Sequence, residues 1–174
     1  MKRVNVKGTS GSGKSMFARE LARRLDLPYV ELDALHWGGP NWEEPTADEF
    51  RARVREAMEA APDGWVIDGN YEGKLDDLVL READRIVWLD LPLRLKLRRL
   101  WRRTMERIRD DLELWGGNRE SWRGAFWGRE SLFWFMVKTH FRHRRQWPAR
   151  FGGDPRFVRL RSVDEARRWL DTTS

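Results

Sequence analysis

The period of the apolar positions changes several times along the chain, and each change marks an element. Val4 and Val6 alternate within residues 3–6, which predicts a short strand. A Gly-rich stretch follows, and then Met16, Phe17, Leu21 and Leu25 fall at helical spacing up to Pro28. Residues 28–32 read as a second strand ending at Asp33, and Gly38, Gly39, Pro40 and Pro45 predict a loop over 36–45. Thr46 and Glu49 have the spacing of a capping box. The helix they open carries Phe50, Val54, Ala57 and Met58 on one face and stops near Pro62 and Gly64. Residues 65–67 form a third strand running into Asp68-Gly69-Asn70, and a short helix is expected over 73–81. The fourth strand, 85–89, is almost continuously apolar, as buried parallel strands are.

Pro92 suits the first turn of a helix. That helix has apolar residues at 93, 97, 100, 101, 105, 108, 112 and 115 and is expected to end at Gly116-Gly117. Residues 118–151 are less regular; the spacing predicts a helix over 131–145 with aromatic rings along one side. A turn at 152–155, a fifth strand at 157–160 and a last helix, opened by a second Ser162/Glu165 box, complete the chain. Strands alternating with helices imply an α/β fold, a parallel sheet covered by helices on both faces. A length of 174 residues fits a single domain, 1–174.

The segment Gly8-Thr9-Ser10-Gly11-Ser12-Gly13-Lys14-Ser15 fits the pattern G-x-x-x-x-G-K-[ST] between a strand and a helix. Its glycines let successive backbone N–H groups turn toward phosphate oxygens, and the following helix adds its positive end. Candidate nucleotide contacts are Gly8, Ser10, Gly11, Ser12, Gly13, Lys14, Ser15 and Met16, with Lys14 on the β- and γ-phosphates and Ser15 on Mg²⁺. The plain alternative is a Gly/Ser turn that caps a helix. Asp68, at the end of a buried strand, is the candidate for orienting Mg²⁺, against a turn-forming Asp before Gly. Asp90 reads as a cap for the helix that follows it. Asp33 lies on the edge where open α/β sheets bind ligands and can accept the proton of an attacking hydroxyl; His36 and Trp37 line the same region or pack inside it.

Arg98 with Arg102, and Arg99 with Arg103, stand four apart on helix faces. A solvated basic face is the default reading of such a run. Beside a phosphate-binding loop, Arg99 and Arg103 are candidates for neutralising a transferring phosphoryl group, and Arg98 and Arg102 for closing over the nucleotide. Arg142, Arg144 and Arg145, with His140 and His143, form a second basic cluster. Charge sharpens the contrast between halves. Residues 1–91 hold 13 basic and 18 acidic side chains, a net of −5, whereas residues 92–174 hold 21 and 10, a net of +11. The second half is therefore expected to meet an anion: a nucleotide phosphate, a nucleic acid or a lipid headgroup. Of the 34 basic residues 28 are Arg, the side chain that grips phosphate with two parallel bonds. Most of the 11 Trp are expected to pack. The absence of Cys excludes a disulfide framework and fits a reducing cytoplasm. No stretch has the length of a signal peptide core or a membrane span, so a cytoplasmic location without membrane contact is expected.

Four segments together carry a family likeness: the loop 8–15, Leu32-Asp33-Ala34-Leu35-His36-Trp37, Val66-Ile67-Asp68-Gly69-Asn70-Tyr71 and the Arg-rich stretch. They resemble adenylate kinase-like P-loop proteins, and within these the group known as DNA topology modulation proteins, which also shows a stretch like Glu113-Leu114-Trp115-Gly116-Gly117-Asn118-Arg119-Glu120. The resemblance implies a three-layer α/β/α P-loop kinase fold with a five-stranded parallel sheet. It further implies a mobile, Arg-bearing helical lid over about 94–150, an acceptor segment near 33–60 and a Walker-B-like role for Asp68. The implied activity is transfer of the γ-phosphate of Mg-ATP to a nucleotide or other small-molecule acceptor. Asp68-Gly69-Asn70-Tyr71 stands where true adenylate kinases have Asp-Gly-Phe-Pro-Arg, which argues against AMP as acceptor. A nucleic-acid-associated P-loop ATPase and a regulatory nucleotide-binding protein remain as other readings; nucleic acid is possible but less favoured, and the oligomeric state is open.

Overall fold

A computed structural model describes residues 1–39, 42–119, 121–127 and 131–173. Five strands, β1 (Arg3–Lys7), β2 (Tyr29–Glu31), β3 (Trp65–Asp68), β4 (Arg85–Leu89) and β5 (Phe157–Leu160), form one sheet in the order β2-β3-β1-β4-β5. Every pairing is parallel, with Val6 opposite Asp68 on one side and Val87 on the other. The helices between them are α1 (Lys14–Leu25), α2 (Leu32–His36), α3 (Ala47–Glu59), α4 (Glu72–Leu75), α5 (Leu78–Glu82), α6 (Leu93–Arg109), α7 (Trp122–Phe126), α8 (Leu132–Phe151) and α9 (Val163–Asp171).

The two-residue alternation of the strands sorts these helices into layers. Val4, Val6, Val66, Val87 and Leu89 face Phe17, Ala18, Leu21 and Ala22 of α1 and Ala166 and Leu170 of α9. Trp65, Ile67, Ile86 and Trp88 face the other way, onto Phe50, Val54 and Met58 of α3, Val79 and Leu80 of α5, and Trp147 and Phe151 of α8. The outcome is the three-layer α/β/α arrangement. The chain order around β1 places the C-terminal ends of β1, β3 and β2 side by side, the edge on which such sheets bind ligands. Among the described residues no helix is long and apolar enough to cross a membrane.

Four boundaries differ from the sequence expectation. Helix α6 stops at Arg109 instead of running to 115. Asp111 takes φ 46° and the Leu112 N–H closes back on the Arg107 carbonyl, a Schellman-type stop. Conversely, α8 continues past Arg145 to Phe151 with Pro148 inside it, because Trp147 and Phe151 bury in the core there. The expected 73–81 helix is split into α4 and α5 at Asp76, which has φ 49°. Strand β2 ends at Glu31, so Asp33 lies in the first turn of α2 and not on the strand end. The Thr46 box forms in full. At the second box Ser162 accepts from Glu165 N–H, but the Glu165 carboxylate takes the Arg161 N–H.

Candidate active site

The phosphate loop leaves β1 at Lys7, a buried lysine that pairs with Glu72 and lies 5.4 Å above the Trp147 ring. Gly8 is fixed by the Asn70 side chain, whose Oδ1 accepts from Gly8 N–H at 3.0 Å and whose Nδ2 donates to Gly8 O at 2.7 Å. One amide thus continues the β1–β3 pairing beyond the strand ends. Gly11 and Gly13 take φ 77° and 83°, which L side chains rarely adopt. A Cβ on Gly11 would lie 2.3 Å from the Lys96 carbonyl, so the loop rests directly on the start of α6. Gly13 caps α1 without a side-chain bond, and the first turn of α1 holds no acid, whereas α3 and α9 begin with Asp48, Glu49 and Asp164, Glu165. The positive end of α1 therefore has no carboxylate of its own helix over it, and an anion suits it.

Lys14 stands between the two acids singled out in the sequence. Its Nζ is 2.8 Å from Asp68 Oδ1 and 3.6 Å from Asp33 Oδ2. Burial opposes its charge, but the two carboxylates outweigh that and raise its pKa above the ordinary lysine value. Asp68 is fully buried at the tip of β3, and the Tyr29 hydroxyl donates to its Oδ2 at 3.1 Å. Ser15 follows Lys14 in the first turn of α1. Ser15 and Asp68, the two expected metal-side residues, are thus joined through Lys14, which neighbours the one in sequence and pairs with the other. A buried carboxylate and a hydroxyl, with phosphate oxygens and water completing the shell, form a donor set that fits Mg²⁺. On the other side, Tyr71 donates to Asp33 Oδ1 at 2.8 Å. Burial first, and then the Asp33 charge, push the Tyr71 phenol well above its ordinary range, so it remains a donor and orients Asp33.

Of the four candidate arginines on α6, Arg99 reaches the loop: its Nη1 is 3.4 Å from the Ser12 carbonyl and 3.2 Å from where a Gly13 Cβ would stand. Arg103, one turn on, is half-buried. Arg98 is exposed, and Arg102 pairs with Glu106 at 3.5 Å and lines an open groove with Trp101, Met105 and Trp122. Met16 is 80% exposed and contributes nothing to the core. His36 is buried against Tyr71, Phe50 and Trp37, with Nε2 2.7 Å from Lys74 Nζ, so it packs. Asp90 is not a helix cap. It is fully buried and bridges Arg144 of α8, at 2.8 Å, and Arg159 of β5, at 2.6 Å. The second basic cluster therefore divides: Arg144 is committed to Asp90, His140 bonds Lys96 at 2.6 Å, His143 stacks on Trp147, and Arg142 and Arg145 face solvent.

Sequence reasoning missed Asn70, Tyr71, Tyr29, Lys7 and Lys96 as parts of the site. Asn70 and Tyr71 follow Asp68 directly, so their position on the ligand edge was the available signal; the roles of Tyr29, Lys7 and Lys96 depend on packing between distant segments.

No family model matches the chain. A cytidylate kinase of Pyrococcus horikoshii is 25% identical over 111 residues, covering 58% of this chain and 56% of that enzyme. The chain thus spans little more than half the length of that curated relative. Solved structures match over nearly the whole chain. A gluconokinase from Sinorhizobium meliloti superposes with TM-score 0.56 and 20% identity, over 98% of this chain and 92% of its own. A shikimate kinase from Bacteroides thetaiotaomicron gives 0.59 and 14%, over 98% and 95%, and a sugar kinase from Janibacter gives 0.54 and 19%, over 99% and 90%. The class is therefore plain: this chain has the P-loop kinase fold, three layers around a five-stranded parallel sheet, shared with small-molecule kinases.

Proposed function

We propose that this protein is an ATP-dependent phosphotransferase acting on a nucleotide or other small acceptor that offers a hydroxyl or phosphate oxygen. The observation that carries the reading is Lys14 set between two carboxylates that arrive from different elements, Asp68 from β3 and Asp33 from α2. Loop residues 8–15 hold the phosphates, with Lys14 on the β- and γ-oxygens. Ser15 and Asp68 would hold Mg²⁺, which neutralises charge on the phosphates when bound. Arg99, already at the loop, and Arg103 balance charge at the transferring group, while Arg98 and Arg102 have to move inward to touch it. Segment 94–131 serves as the lid; α8 beyond it belongs to the core. Asp33, held by Tyr71, accepts the proton of an acceptor hydroxyl as its oxygen bonds to the γ-phosphorus and the ADP oxygen leaves.

The names of the similar proteins, one nucleotide kinase and kinases of gluconate, shikimate and a sugar, favour a small acceptor over a macromolecule. The narrower likeness to DNA topology modulation proteins rests on the loop 8–15, the 32–37 and 66–71 motifs and the Arg-rich stretch taken together, with the 113–120 motif. ADP release should be screened across nucleosides, nucleoside monophosphates, sugars, sugar acids and DNA ends, with Lys14→Ala as the blank. One acceptor class should exceed the blank by more than about 100-fold. If none exceeds it, the protein is not a kinase for these classes.

One observation favours a second reading. The exposed face of α8 carries Trp134, Phe135, Lys138, Phe141, Arg142 and Arg145, and residues 131–153 contain no acid. Rings interleaved with cations suit single-stranded nucleic acid. Oligonucleotide binding that weakens steeply with salt would promote that reading.

A further inference from the structure

The stretch Glu113-Leu114-Trp115-Gly116-Gly117-Asn118-Arg119 takes no part in the chemistry above, yet it is closely built. Leu114 N–H bonds the Asn118 carbonyl at 2.7 Å, and Glu113 and Arg119 form an antiparallel bridge, so the segment folds into a compact turn. Gly116 and Gly117 take φ 64° and 79° within it. Asn118 is 4% exposed, and three of its side-chain contacts leave the turn. Its Nδ2 donates to Gly39 O at 2.9 Å and Trp115 O at 2.6 Å and lies 3.3 Å from Trp37 O, and its Oδ1 accepts from Trp42 N–H at 2.7 Å. A Cβ on Gly116 would lie 2.4 Å from the Gly39 carbonyl, so the two backbones touch.

These contacts join two sides of the candidate site. Loop 37–42 follows α2, which carries Asp33. The turn 113–119 follows α6, which carries the Gly11 contact at Lys96 and the Arg99 contact at Ser12. One continuous arm, 93–119, therefore rests on the phosphate loop at its start and grips the acceptor-side loop at its end. Asn118 can fill this place because its amide both donates and accepts: the loop presents carbonyls at 37 and 39 and an N–H at 42.

We propose that turn 113–119 is a clamp that sets the acceptor-side loop in register with the nucleotide-side helix, and that Asn118 is a positioning residue for phosphoryl transfer. The proposal rests on the kinase reading. Ordering of the phosphate loop by nucleotide is passed along α6 to loop 37–42, so the acceptor side tightens when ATP is bound.

Hydrogen exchange with and without Mg²⁺ and a non-hydrolysable ATP analogue tests this in the full chain, comparing wild type with Asn118→Ala, Gly116→Ala and Gly117→Ala. Gly116→Ala forces the two backbones apart. Gly117→Ala carries a similar left-handed strain but meets only the Glu113 carboxylate, at 3.4 Å, and serves as the control. In wild type and the control, the analogue should slow exchange at residues 9–15 and also at Trp37, Gly38, Gly39 and Trp42, the latter by about five- to tenfold, the worth of roughly one hydrogen bond. In Asn118→Ala and Gly116→Ala the slowing at 9–15 should persist and that at 37–42 should vanish. Equal slowing at 37–42 in all four proteins, or none there in wild type, overturns the clamp while leaving the kinase reading intact. No slowing at 9–15 in wild type overturns both.

Discussion

Gly11→Ala puts the seating of the phosphate loop on α6 to a direct test. At φ 77° an L residue costs about 1–2 kcal/mol. The added Cβ would also stand 2.3 Å from the Lys96 carbonyl oxygen and 3.2 Å from its Cα. Both neighbours are backbone at the start of a 17-residue helix, so no flexible tip can swing aside. Overpacking of this kind costs about 1–3 kcal/mol. Together the two terms come to roughly 2–5 kcal/mol, a fall in melting temperature of about 5–15 °C for a chain of this size. Some of that strain will be relieved by moving the loop away from α6 by about 1 Å, which shifts Lys14 relative to Arg99 and lowers turnover by about 100-fold. Thermal melts and ADP release report the two effects separately. Gly73→Ala is the control: nothing lies within 4 Å of its new Cβ, and alanine favours the helix there. If Gly11→Ala melts within about 2 °C of wild type and turns over normally, α6 does not seat the loop in the way described.

Asp33→Asn should leave ATP affinity near wild type and depress transfer by about 100-fold or more, whereas Asp68→Asn should blunt the dependence on Mg²⁺; calorimetry and a metal titration separate them. Asn70→Ala leaves the Gly8 N–H and carbonyl without their partner and should cost about 1–3 kcal/mol in a urea melt, with weaker ATP binding; an unchanged midpoint would show that Asn70 does not hold the loop. Burial is the main reason the pKa of His143 falls to about 4, with Glu72 pulling the other way and Arg142 and Lys7 adding to the fall. The unfolded chain, with its imidazole near about 6.5, then binds more protons, so stability is complete above that pH and is lost as pH drops toward about 4, by at most about 3 kcal/mol. His143→Phe keeps a ring on Trp147 and should flatten that slope; an unaltered slope would assign it to other groups.

Period and punctuation made the sheet legible: every strand reads from alternation or a short apolar run, and Gly8 to Ser15 announces its own chemistry. Local signals failed where distant partners decide the outcome. Asp90 before Leu91-Pro92 looks like a cap, and only the approach of Arg144 and Arg159, 54 and 69 positions away, makes it the centre of an ion-pair set. The spacing predicts a helix only to residue 145, yet the burial of Trp147 and Phe151 carries α8 on through Pro148 to Phe151. Leu112 and Trp115 continue the helical spacing of α6, but the Asp110-Asp111 pair turns the chain first. Asn118 was visible only as part of a motif, because its partners at 37, 39 and 42 lie on the far side of two strands in sequence.

The placement of α8 bears on how this architecture can be altered. Its Trp147 lies edge-on to Trp88 of the sheet, 5.1 Å between ring centres, and its Arg144 neutralises Asp90 at the end of β4. The basic, aromatic half of the chain is thus not an insertion that can be excised and replaced by a two-residue turn, nor a module that can be transplanted to another P-loop scaffold by matching its ends. Shortening between α6 and α8 would remove the turn 113–119 with its buried Asn118, and a deletion that reaches Arg144 would strip the sheet of a wall and leave the buried Asp90 with Arg159 alone. Changes to the acceptor side are therefore best confined to α2 and residues 37–39, with α6, the turn 113–119 and α8 kept as framework.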